Sequence, residues 1–180
     1  MAAGEPIGRV GESGDAAFPH LHLNVFENGV RVDPFAYGAP PGACGGVGMS
    51  LWTPAAARAL AYRSPDLINA GFADGSVTLD DVEEGRADAR TPTAASPAVV
   101  VFVRAIGLRQ GDVLSLQLAG PGGLRADGAP TILDGNKAQW MMFVGARRPA
   151  TGWPRGLYRG HLVIRRSGAT ALDRTFDLTL

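Results

Sequence analysis

Apolar and polar positions alternate with period two along much of this chain, and the alternation is cut at short intervals by glycine and proline. Between residues 96 and 180 the runs AVVVFVRAIG, DVLSLQLAG, KAQWMMFVG, GLYRGHLVIRR and ALDRTFDLTL have strand length. They are separated by LRQG, PGG, DGN, RRPATGWPRG and RSGA, each carrying a turn residue. Leu114, Leu116 and Leu118 alternate with Ser115 and Gln117, as a half-buried strand requires. Trp140, Met142 and Val144 fall on one face of their run, and Leu162 and Ile164 share one on theirs. About six or seven short strands at this spacing predict an antiparallel sandwich of immunoglobulin-like type.

The first 38 residues have a different rhythm. IGRV is expected to be a short strand and GESGDAAFP a loop. HLHLNVFE is then a strand closed by Asn28-Gly29, the dipeptide that best accepts positive φ at both turn positions. VRV returns, and Asp33-Pro34 ends the pairing because proline has no N–H to donate. Residues 39–95 read as a connector: GAPPGACGGVG is too rich in glycine and proline to hold an element. TPAAARALAYR predicts one short helix, with Thr53 as N-cap and Pro54 at the first position. LDDVEEGRADAR carries mixed charges and is expected to be a solvated surface segment. The expected organisation is all-β in three parts: a partial hairpin at 1–38, a connector at 39–95 and a complete sandwich at 96–180.

Composition narrows the function. The chain has 180 residues, and its 17 basic residues balance 17 acidic ones, so no net field draws nucleic acid or an anionic membrane. A single cysteine, Cys44, excludes an internal disulfide and a cysteine-rich zinc module. It stands among glycines with no His–acid pair apparent to activate it, and is expected to be an incidental small residue. No apolar run is long enough to span a bilayer, and the start lacks the basic and apolar regions of a signal peptide.

The candidate chemistry sits in VGESGDAAFPHLHLNVFENGVRVDP, which holds two of the three histidines. His20 and His22, two apart on a strand, leave the same face with Cβ atoms about 6.5–7 Å apart. That spacing suits one group ligating a metal while the other engages a metal-bound water; the bland reading is one histidine at the surface or in a core and the other incidental. The third, His161 in YRGHLVI, is expected to be a strand histidine on a half-exposed face. Trp153 and Tyr158 in GWPRGLY are expected to pack at a sandwich corner; the alternative is an aromatic loop, which is all that supports carbohydrate binding.

Val10-Gly11, Ser13-Gly14, Pro19-His20-Leu21-His22, Asn28-Gly29 and Val32-Asp33-Pro34, in that order, resemble the C-terminal end of the lysostaphin-type peptidoglycan endopeptidases. The match covers about 30 residues, a sixth of the chain. The resemblance implies that His22 is a zinc ligand and His20 a catalytic histidine beside the metal. It implies cleavage of cell-wall peptides through a zinc-bound water, and a place in the cell envelope or periplasm. The family's first two ligands come from an upstream His-x-x-x-Asp motif that does not occur here, and Asn24 replaces an acidic residue common in the family. A catalytic zinc needs three protein ligands and an open position, and only one is matched. The chain alone is therefore expected to be inactive and to bind zinc weakly or not at all.

Three explanations are open: a gene fragment, a remnant whose working part is the sandwich, or a sheet completed by self-association or a partner chain along its open edge. Residues from LWTP to GLYRG also look like an extension found behind this peptidase domain. The competing reading is a non-enzymatic immunoglobulin-like binding or structural module with a vestigial hairpin.

Overall fold

The computed structural model describes residues 2, 4–11, 21–40, 47–61 and 63–180. The chain divides into two compact units, Met1–Tyr62 and Arg63–Leu180. It is all-β apart from short helices, and among the described residues no helix is long and apolar enough to cross a membrane.

In the first unit, β1 (Val25–Glu27) and β2 (Val30–Val32) form an antiparallel hairpin with Val25 opposite Val32, Phe26 opposite Arg31 and Glu27 opposite Val30. The turn is the expected one: Asn28 has φ 48° and Gly29 φ 80°, the paired positive values that match the twist of the flanking strands. The rest of the expected β structure is shorter than the pattern suggested. Ile7–Val10 is not a strand, and Leu21–Asn24 precedes β1 without joining it. An extended segment becomes a strand only by pairing, and the hairpin offers just three residues on each arm. The Tyr37 and Met49 backbones bridge at 2.9 Å in both directions. Helix α1 (Pro54–Ala59) starts where Thr53 Oγ1 accepts from Ala56 N at 3.2 Å, as its cap sequence requires.

The second unit holds two antiparallel sheets. One has the order β3 (Asp66–Ala73), β4 (Ala98–Leu108), β8 (Lys137–Arg147). The other runs β10 (Ala169–Thr179), β9 (Leu157–Arg166), β5 (Val113–Ala119), β6 (Arg125–Asp127), with the short β7 (Thr131–Ile132) also on β5. The inward faces share one core. Val99, Val101 and Val103 of β4 meet Leu114, Leu116 and Leu118 of β5 and Leu162 and Ile164 of β9, all essentially buried. Trp140, Met142 and Val144 pack against them on the expected face of β8.

Strand pairing reaches back beyond residue 96. Residues 66–73, which the pattern places in the connector, form β3 and pair with β4 from Asp66–Ile106 to Ala73–Val100. Residues 79–90 are also not simply a solvated segment. Thr78 Oγ1 accepts from Asp81 N and Asp81 Oδ2 from Thr78 N, both at 3.1 Å, a capping box that opens a second helix, α2 (Leu79–Glu83). Thr78 and the neighbouring Arg86 hold the Asp81 carboxyl down at about 2. Val82 and Ala87 are buried with Ala73, Val77, Val100 and Phe102 in a second core on the outer face of β4. Arg104 on that strand is buried and reaches Glu83 at 2.6 Å and Gln139 at 2.7 Å. The charges that suggested a solvated surface include the partner of a buried cation.

The GWPRGLY corner packs as expected. Trp153 Nε1 donates to Ser96 O at 2.7 Å, and Tyr158 Oη donates to Pro154 O at 2.8 Å. The rings meet edge to face at 6.0 Å, and both side chains are buried, so neither face is offered to a ligand.

Candidate metal centre

His22, the candidate site residue that the structure describes, lies in the first unit just before the hairpin. His22 is exposed, and its Nε2 lies 3.1 Å from Asn24 Nδ2. The contact is a hydrogen bond between the Asn24 amide and the His22 ring, its direction set by the ring tautomer.

His20 and Cys44 lie outside the described residues. His161 is in the second unit, where its Nε2 is 2.9 Å from Asp173 Oδ1 across β9 and β10, partly exposed as expected of a strand histidine. Among the described residues no group of three or more histidine, cysteine, aspartate or glutamate side chains is placed to hold a metal ion. On the hairpin, Glu27 Oε2 accepts from Tyr37 Oη at 2.7 Å, and beyond it Asp33 Oδ1 accepts from Phe35 N at 2.8 Å. The Glu27 contact stabilises the neutral phenol and raises the Tyr37 pKa above its ordinary value. The described residues thus do not fit a zinc site, which needs three donors converging on one point.

The arrangement of the hairpin carries further information. Phe26 and Arg31 are opposite one another and so share a face. Asn24, two residues before Phe26 and bonded to His22, extends that face toward the histidine. The alternate positions Leu21, Leu23, Val25, Val30 and Val32 are apolar, yet Leu21 is 79% and Val30 65% exposed. Val25 and Val32 are half-buried, and Glu27 shares their face opposite Val30. Two open hollows, about 430 and 300 Å³, lie along β2. Arg31 lines both, with Glu27 and Tyr37 in the larger and Leu23 and Asn24 in the smaller.

In comparisons with known proteins, no family model matches the chain, and no characterised protein or solved structure matches it.

Proposed function

We propose that this chain represents the C-terminal part of a lysostaphin-type peptidoglycan endopeptidase. Its first unit supplies the last hairpin of the catalytic sheet and its second an immunoglobulin-like accessory module. One observation carries the reading: the ordered series from Val10 to Pro34, with an Asn28-Gly29 hairpin where the family has one. The uncovered apolar positions of the hairpin support it, because a catalytic sheet would cover them. In this reading His22 is one zinc ligand, His20 assists beside the metal, and the remaining ligands come from outside the described residues. The substrate is a peptide of peptidoglycan and the place of action the cell envelope or periplasm.

The immunoglobulin-like assignment of the second unit rests on its strand order, β3-β4-β8 facing β10-β9-β5-β6. It also rests on Tyr158, which stands near the start of β9 and bonds back to the backbone four residues upstream, as a tyrosine corner does. That unit has a core of its own, which favours a second reading, a non-enzymatic binding or structural module with a vestigial hairpin.

Hydrolysis of purified peptidoglycan separates the two. The chain alone is expected to release no peptide fragments, matching the His22→Ala variant, and to gain activity when a Gly-rich β segment bearing His-x-x-x-Asp is placed before it. Activity in the unmodified chain that disappears in His22→Ala would contradict the incomplete site. No activity after the segment is supplied would favour the module.

A further inference from the structure

We propose that β8 is a dimerisation edge, pairing antiparallel with β8 of a second copy of this chain about a twofold axis at Phe143. The proposal stands on the second unit alone and goes beyond the peptidase reading. β8 is an outer strand of its sheet and pairs only with β4. In an antiparallel pair alternate residues turn N–H and C=O away from the neighbour, so an outer strand offers a row of backbone donors and acceptors. Among the described residues no further backbone hydrogen bond engages residues 137–147. The other three sheet edges carry the features that discourage pairing. β3 has a register shift between Leu67 and Asn69, and β10 has one between Thr170 and Leu172. β10 also bears Asp173, Arg174 and Asp177, and β6 is only three residues long. By contrast, the 11 residues of β8 pair with β4 without a register shift, and from Ala138 to Ala146 there is no charge and no proline. Phe143, on the outward face opposite Phe102, is 49% exposed.

The strand is complementary to its own copy. A twofold axis at Phe143 opposes residues 139–147 of the two copies. Phe143 then meets its own counterpart, Met141 meets Gly145, and Gln139 meets Arg147, so no like charges face one another. An axis at Met142 would set Lys137 against Arg147, a destabilising pair, and one at Met141 would set Phe143 against the polar Gln139. Pairing over 139–147 forms about eight to ten backbone hydrogen bonds, the number a typical interface carries. The two exposed phenylalanine rings cover each other on the outward face. A formal net charge of zero raises no long-range repulsion between copies.

The test is sedimentation equilibrium of the full chain over a wide concentration range, with thiol trapping to fix the register. The mass is expected to rise from 18.7 kDa to twice that value and stop there. Phe143→Lys, which removes the ring pair and sets like charges on the axis, should weaken association about tenfold. Ile132→Lys, at an exposed position on β7, should leave it unchanged. In a Cys44→Ser background, Phe143→Cys should give a disulfide-linked dimer under mild oxidation. Met141→Cys should not, because its counterpart lies about 13 Å away along the strand. A mass of 18.7 kDa at every concentration, or growth beyond twice that mass, would overturn the proposal. So would association indifferent to Phe143→Lys, or linking at 143 no better than at 141. If Phe143→Lys fails to fold by circular dichroism, the two cysteine variants decide the matter.

Discussion

Replacing Arg166 with alanine is expected to destabilise the second unit by about 3–5 kcal/mol, the range for a buried ion pair that loses one partner. Asp112 is fully buried, and its two carboxylate oxygens accept from Arg166 Nε at 2.9 Å and Nη2 at 2.8 Å. The same guanidinium donates to Ser64 O and Gly107 O, both at 3.1 Å. It therefore joins the end of β9, the β4–β5 turn and Ser64, two residues before β3. Without it, the Asp112 carboxylate keeps only the Arg109 amide at 2.9 Å among its described partners. Urea unfolding followed at neutral pH should show the midpoint fall with no change of slope.

Acid acts on the same clamp. Arg166 and the Arg109 amide outweigh burial and hold the Asp112 carboxyl below its ordinary value. A depressed folded pKa means that the contribution is fully present above the unfolded carboxyl value, about 3.9, and is lost as pH falls through the folded one. Stability that is flat across that acid range, or a loss under about 1 kcal/mol in Arg166→Ala, would show that water takes the guanidinium's place.

Phe102→Ala is expected to cost about 3–5 kcal/mol as well, and by a different route. The ring is fully buried in the second core, under α2 and the residues after it. Its fit is close enough to explain a neighbouring glycine: a Cβ on Gly71 would stand 2.9 Å from Phe102 Cζ. Emptying this site removes the support beneath Val82 and Ala87 while leaving the core between the sheets in place. Amides of α2 should then lose hydrogen-exchange protection before those of β5 and β9. Uniform loss of protection in all three would show that the two cores unfold as one.

These two sites also mark the limit of what the sequence discloses. The strands β4, β5, β8, β9 and β10 are legible because apolar alternation and glycine or proline punctuation coincide. DLINAGFA is less legible: Asn69 and Gly71 interrupt its pattern, and the register shifts between Leu67 and Asn69. In α2 the charges conceal Val82, whose burial depends on β4, while the Thr78–Asp81 capping box was a local signal that the charge pattern outweighed. The Arg166–Asp112 pair joins positions far apart in the chain, and no local pattern marks which arginine meets which aspartate. At the candidate site, the Asn-Gly turn and the His22–Asn24 spacing are local and legible. Donors completing a metal site are not, because they must come from elsewhere in space.

Zinc content after exhaustive dialysis tests the peptidase reading most directly. It would be measured on the chain alone and on the chain placed behind a Gly-rich β segment bearing His-x-x-x-Asp. The reading predicts no retained zinc in the first case and about one ion per chain in the second, lost again in His22→Ala. An extended chain that holds no zinc, or whose zinc is indifferent to His22→Ala, would contradict it.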